Sequence, residues 1–344
     1  MKLRLTYMAT MVTVSIAPIF LSACRSTSSA PDVSEIEAHD SLSPTKIRIP
    51  GSDVSFTMIP IAGGQGVLGG ELSDSAHQPG VPVEISSFWI AETETSYDAF
   101  ALFRFRDRDS DSTNVDGKKL EVDAVARPST PYEDPSHGMD GAGFPVVGIT
   151  QWSALQYARW LSEKTGWFLR LPTEAEWEYA CLAGNEFGNS SATDGSDLKS
   201  RLSTTAWFSE NSEDHLHMIG TRDRDASGLL DILGNVAEWT LDQYDENFYK
   251  DLSASGSAVV DPWREPSKLH PRTVRGGSYQ SDVADLSCKQ REESSMRWKR
   301  RDPQIPKSFW WNTDSPFVGF RLIAPVDPPS AEEQAAFWGL VLGG

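Results

Sequence analysis

The sequence predicts a mixed α+β domain that is irregular and low in regular secondary structure. Three observations carry this reading. Two helices are strongly marked between residues 150 and 184. Short apolar runs upstream read as strands. Beyond residue 184 neither the two-residue nor the helical period persists, and nothing recurs at fixed spacing. Material for a core is nevertheless present, with 12 Trp and 15 Phe in 344 residues. A chain so rich in bulky apolar groups is not disordered throughout.

In chain order, residues 1–23 read as a lipoprotein signal peptide. Lys2 and Arg4 form a basic start, Met8 to Phe20 an apolar run, and Leu21-Ser22-Ala23-Cys24 a lipobox. Cys24 is the expected lipidation site, and several acyl chains on one cysteine give stable anchoring. The alternative is an uncleaved anchor, for which the apolar stretch is short and interrupted. These features predict a bacterial cell-envelope protein, lipid-anchored, on the outer membrane. Arg25 follows the cysteine, so no aspartate marks inner-membrane retention. Residues 24–46 are rich in Ser, Thr, Pro and acidic groups and read as a flexible tether. Residues 47–326 form the expected domain and 327–344 a C-terminal tail. The tail's apolar Ala335 to Leu342 is too short to span a bilayer and docks on the domain or a partner.

Within the domain, Phe56 to Ile61 reads as a strand turned by Ala62-Gly63-Gly64, and Val81 to Ile90 as a second strand. Tyr97, Phe100, Ala101 and Phe103 mark a helix. Asp107 to Gly117 is a polar loop. Its Asp107, Asp109 and Asp111 imitate the start of an EF-hand, but Ser112 and Lys118 occupy the positions needing Gly and Glu. Thr150 caps a helix over Gln151 to Lys164 that Gly166 stops. Thr173 and Glu176 form a capping box for the next.

The net charge of −18 argues against nucleic acid as a partner. Three cysteines cannot build a disulfide framework or a four-thiolate zinc site. No Gly-x-Ser-x-Gly elbow or phosphate-cradling loop is present. His215 and His217 read as a solvent-facing pair. A basic run from Arg297 to Lys307 adjoins several aromatic residues. Trp298, Arg300, Arg301, Trp310 and Trp311 form a candidate surface for an anionic or carbohydrate ligand. The alternative is an irregular segment pinned by buried Trp, its cations paired with carboxylates.

Four strings carry a resemblance. They are Arg170-Leu171-Pro172-Thr173-Glu174-Ala175-Glu176-Trp177, the run from Gly228 to Trp239, Arg275-Gly276-Gly277-Ser278-Tyr279, and Val318-Gly319-Phe320-Arg321. In this order they resemble the formylglycine-generating enzyme, or sulfatase-modifying factor, family over roughly residues 53–325. Asp302 to Lys307 with Phe317 to Arg321 is similar to a bacterial subgroup of it. The resemblance implies a variant of the C-type lectin-like fold. It also implies an enzyme that oxidises a sulfatase cysteine to formylglycine, with two cysteines after Gly-Gly-Ser-Tyr holding copper. Here those positions are Ser281 and Leu286, or Val283 when counted back from Arg291. Hydroxyl and alkyl groups cannot replace thiolates on Cu(I), so no copper is expected.

The family's calcium segment maps onto Asp231, Gly234, Val236 and Glu238, which implies a structural Ca²⁺ held by two carboxylates and two carbonyls. The alternative is a turn braced by hydrogen bonds from Asn235 and Glu238. Cys181 and Cys288 occupy positions resembling a structural disulfide of secreted members; two separate buried thiols are the alternative. The combination points first to a non-catalytic binding or scaffold lipoprotein that holds an envelope protein or glycan. The second reading is an enzyme with a different centre in the same cleft, built from Ser281, Asp282, Asp285 and Arg291.

Overall fold

The structure, a computed structural model, describes residues 42–70, 78–105, 107–108, 114–115, 118–119, 125–185 and 195–343. The signal peptide, Cys24 and nearly all of the tether lie outside these residues, as does most of the polar loop after Asp107. Residues 43–344 form one compact unit.

A four-stranded antiparallel sheet joins the two ends of this unit. Its order is β1 (Thr45–Arg48), β2 (Ser55–Ile61), β5 (Phe88–Ala91) and β13 (Ile323–Pro325). Ile90 faces Ile59 on one side and Ile323 on the other. All three are buried, so the apolar stripe fixes the register. A second sheet takes β3 (Gly64–Gly70), β4 (Gln78–Ile85) and, parallel to β4, β9 (Val259–Val260). The residues from Val81 to Ile90 thus form parts of two strands rather than one. The chain breaks between them where Ser86 bonds Asp261 through both its N–H and its hydroxyl. A short antiparallel hairpin pairs β6 (Asn114–Val115) with β7 (Lys118–Lys119). The third sheet orders β11 (Arg291–Glu293), β10 (Arg272–Arg275), β8 (Ala237–Gln243) and β12 (Val318–Gly319). Every residue of β8 is buried.

The helices follow local signals. Ser96 caps α1 (Tyr97–Arg104). Thr150 caps α2 (Gln151–Thr165), which ends at Gly166 in the left-handed region. The capping box opens α3 (Glu174–Gly184): Thr173 Oγ1 accepts the Glu176 N–H at 3.1 Å, and Glu176 accepts the Thr173 N–H at 2.8 Å. Arg170 clamps the same carboxylate with two N–H bonds of 2.7 and 2.8 Å. Beyond these lie α4 (Gly195–Thr205), α5 (Phe248–Ser253) and α6 (Ala331–Leu342). The last carries a second capping box, Ser330 with Glu333. Its Phe337 and Trp338 meet Phe168 edge-on, so the C-terminal apolar segment docks on the domain. Among the described residues no helix is long and apolar enough to cross a membrane.

The core is aromatic. Trp160, Trp177, Trp239, Tyr157, Phe100 and Phe103 are fully buried. Inside it, Cys181 and Cys288 form a disulfide with a Cα–Cα distance of 5.5 Å, and both are wholly buried.

Candidate functional site

The Gly-Gly-Ser-Tyr segment follows β10 and borders a cleft of about 230 Å³ lined by Gly276, Gly277, Ser281, Asp285, Gln290 and Glu292. Gly277 is required there: its φ is +68°, and a Cβ would lie 2.7 Å from Leu286. Ser281 Oγ accepts the Ser278 N–H at 2.9 Å, closing a tight turn. Leu286 is buried in the core. A hydroxyl, an alkyl side chain and nearby carboxylates are no ligand set for Cu(I), so the residues present do not fit that ion.

The candidate centre built from Ser281, Asp282, Asp285 and Arg291 does not assemble. Only Ser281 and Asp285 line the cleft. Asp282 accepts a hydrogen bond from Ser209 at 3.0 Å. Arg291 is drawn into the interior, where Nε and Nη2 bind Glu174 and Nη1 binds the Asp245 carbonyl. Its guanidinium lies over the Tyr244 and Tyr249 rings. Burial alone would lower its pKa, but Glu174 reverses this and raises it. Gln290 and Glu292 also line the cleft, and a Gln or Glu beside a turn carries no sequence signal.

Behind the cleft lies an ion network. Arg275, fully buried, donates to Glu174 at 3.1 Å, to Glu178 at 2.6 Å and to the Cys288 carbonyl. Glu178 also accepts the Tyr249 hydroxyl at 2.7 Å and the Gly69 N–H at 2.6 Å. This binds α3 to β3, β10 and the disulfide. A buried carboxylate with three donors is satisfied and structural.

The turn entering β8 places the four expected calcium ligands close in sequence, and Arg321 already engages one of them, Glu238. Glu238 Oε1 accepts Arg321 Nε at 2.8 Å and Nη2 at 2.7 Å. Its Oε2 accepts Arg321 Nε at 2.8 Å and Trp177 Nε1 at 2.8 Å. Arg321 Nε is shared between the two oxygens, so three N–H groups meet a carboxylate that can accept about four. Asp231 accepts the Gly220 N–H at 2.6 Å through one oxygen, while its other is buried without a partner. Gly234 and Val236 could offer only carbonyls. Of the set Asp231, Gly234, Val236 and Glu238, Glu238 is paired with Arg321, while Asp231 keeps one buried oxygen without a partner.

Glu94 belongs to the same buried cluster and carried no sequence signal. Asn235 Nδ2 donates to Glu94 Oε1 at 3.0 Å, and Oε2 has no partner. Burial and then the Asp231 charge push its carboxyl well above the usual range. Burial likewise pushes Asp231 up to about 6. Asn235 braces the turn a second time by accepting the His217 N–H at 2.8 Å.

The candidate ligand surface divides. Trp298 is buried against Trp239 and Phe317, and Trp311 is buried with its indole N–H on the Ser129 carbonyl. Both belong to the core, because an irregular segment without regular strands is held by its Trp side chains. Arg301 is tied to Asp314, His137 and the Thr313 carbonyl. Arg300 is exposed. Trp310 does border an open groove of about 710 Å³, with Tyr132, Trp152, Ile305, Lys307 and Phe309. Tyr132 is 75% exposed, Ile305 97% and Phe309 51%. His217 does not face solvent freely: it stacks on Trp207 at 3.5 Å, and His215 bonds the Glu213 carbonyl.

With this geometry in place, similarity to known proteins can be read. The chain is 32% identical over 154 residues to the serine/threonine-protein kinase Pkn1 of Chlamydia trachomatis, covering 45% of this chain and 22% of the kinase. It is 30% identical over 215 residues to the formylglycine-generating enzyme of Mycobacterium tuberculosis, covering 58% of this chain and 63% of that enzyme. The chain therefore spans less than two thirds of these relatives. Treponema denticola variable protein 1 shares the fold at a TM-score of 0.57 and 20% identity, over 83% of this chain and all of that one. The sulfatase-modifying factor enzyme 1-like domain matches residues 51–325, and the chain belongs to that family.

Proposed function

We propose that the chain is a non-catalytic binding domain of a bacterial envelope lipoprotein, using the family's fold to hold a partner. One observation carries it: the two positions that bind copper in formylglycine-generating enzymes are Ser281 and Leu286, or Val283 by the other count. Ser281 closes a turn and Leu286 fills the core. Neither supplies a thiolate, and the alternative centre around Ser281 is dispersed. The groove at Tyr132, Trp152, Ile305, Phe309 and Trp310 supports a binding role. Contiguous exposed apolar side chains of this size mark contact sites. An envelope protein or a glycan is the partner class this surface suits, delivered by lipidation at Cys24.

The test is metal analysis of the purified full chain, with turnover on a cysteine-containing sulfatase peptide under copper. The expected result is no tight copper and no aldehyde product. Peptide oxidation overturns the reading. Lipidation is tested by acyl labelling of wild type and Cys24→Ala, with label expected in wild type alone.

A further inference from the structure

The loop from Asp302 to Ser308 is braced at its base and bare at its tip. Asp302, buried, accepts the Gln304 N–H at 2.9 Å and the Ser308 N–H at 2.6 Å through its two oxygens. Lys307 Nζ donates to the Asp302 and Arg300 carbonyls, and buried Lys299 donates to the Ser308 carbonyl. These bonds close the loop on itself and leave Ile305 97% exposed. A single exposed apolar side chain is ordinary. One held out by a buried carboxylate and two ammonium groups is a rigid apolar tip.

The surface around the tip is apolar and cationic. Ile305, Tyr132 and Phe309 line the open groove. A second cavity, of about 360 Å³, shares Trp152 and Phe309 with it and adds the exposed Leu269 and Leu340. Among the described residues no acidic side chain lines either one, in a chain whose net charge is −18. Glu133 and Glu265 adjoin Tyr132 and Pro266 in sequence but line neither. Lys307 stands in the groove and Lys268 in the cavity. Arg297 and Arg300 are exposed on the segment leading into the loop. Among the described residues Lys268, Arg297 and Arg300 form no ion pair.

We propose that this face docks on a bilayer with anionic headgroups, Ile305 and Phe309 reaching the acyl boundary and Arg297, Arg300 and Lys268 lying among the headgroups. Headgroup charge above acyl chains is the layering that an apolar tip with cations around its base matches. Trp152, Trp310 and Tyr132, beside the tip, are of the residue types enriched at that interface. The acidic remainder of the chain is repelled by the same headgroups, which turns this face toward them. The inference goes beyond the reading above. It needs neither lipidation nor loss of catalysis, and a partner lying in the groove would be met at the membrane surface.

The test places an environment-sensitive fluorophore on Gln304→Cys in the full chain. Cys24→Ser leaves no other free thiol, because Cys181 and Cys288 are paired. On vesicles of equimolar phosphatidylglycerol and phosphatidylcholine, the emission is expected to shift to the blue and to be quenched by brominated acyl chains. A label on Ser257→Cys, exposed on the turn before β9, should not change. Ile305→Asp should lower the inserted-to-free ratio at least about tenfold, and Arg297→Gln with Arg300→Gln about fivefold per charge. All three positions are exposed, so these variants should melt as the parent does. The N-terminus is the same in every variant, so the ratios report the loop and not the anchor. Absence of quenching at position 304 overturns the proposal. So do equal quenching at position 257, equal insertion into pure phosphatidylcholine, and an unaltered ratio in Ile305→Asp. A shift on added glycan strands or on raising the protein concentration, with none on vesicles, gives the face to a glycan or a second copy and overturns it as well.

Discussion

Arg321→Met tests the role of the guanidinium at the turn entering β8, which pairs with Glu238 and lies beside Glu94 and Asp231. Arg321 is wholly buried and donates to both Glu238 oxygens, to the Ala91 and Leu230 carbonyls at 3.0 Å, and to the Glu92 carbonyl at 3.3 Å. It therefore ties β5, the 228–231 turn and β8 together. Methionine fills similar volume but leaves Glu238 with Trp177 alone. Breaking one partner out of a buried pair costs about 3–5 kcal/mol. Against a typical total of about 5–15 kcal/mol this is a large share, and in a domain of this size it lowers Tm by roughly 10 °C.

The loss should depend on pH. Burial raises the Glu94, Asp231 and Glu238 carboxyls, and Arg321 opposes that rise at all three. A raised folded pKa means stability is present below the unfolded value near 4 and fades as pH climbs through the folded value, about 6 for Asp231. Without Arg321 these carboxyls rise further, so the deficit widens from pH 5 to pH 8. Urea unfolding of both proteins across that range measures it. A deficit below about 1 kcal/mol, or one independent of pH, refutes the reasoning. So does rescue of the variant by millimolar calcium.

Other outcomes follow from the same geometry. Chelator treatment should lower the melting temperature of wild type where Asp231 Oδ1 holds calcium, and leave it unchanged where Arg321 alone balances the cluster. Removing the disulfide by Cys181→Ala with Cys288→Ala frees a closed loop of 107 residues, which the chain-entropy relation values at about 5 kcal/mol. Denaturant unfolding checks this, and a loss below about 1 kcal/mol contradicts it. Thr173→Ala removes the cap of α3 and should cost about 1 kcal/mol by the same measurement.

Parts of the molecule were legible because their signals are local. Thr150, Gly166, Thr173 and Glu176 mark α2 and α3 within a few residues, and the structure uses them as caps. β8 was not legible as a strand: buried at every position, it shows no alternation, and its polar residues bond inward. The Gly-rich β3 was missed because its residues are weak strand formers. Arg291 was misplaced because its partner Glu174 lies 117 residues away. For Trp298 and Trp311 the sequence leaves ligand surface and buried pin both open, because a Trp beside cations has the same appearance buried or exposed, and the structure buries both. The groove at Tyr132 and Ile305 depends on where irregular loops meet, which no periodicity reports.

The four strings that announce the family are, residue by residue, parts of its frame. Arg170 clamps Glu176; Glu174 binds Arg291 and Arg275; Arg275 binds Glu178; Glu238 binds Arg321. Each charged group is buried or nearly so, and every pair but the local Arg170–Glu176 joins distant elements, so these motifs are what a sparse, irregular fold needs to hold one arrangement. The thiolates that make formylglycine lie outside these strings, in the turn after Tyr279, where a substitution leaves the frame intact. Family membership therefore fixes the architecture of this chain while leaving its activity to the residues between the motifs. In this chain those residues are Ser281 at the cleft, Leu286 in the core behind it, and an exposed aromatic groove.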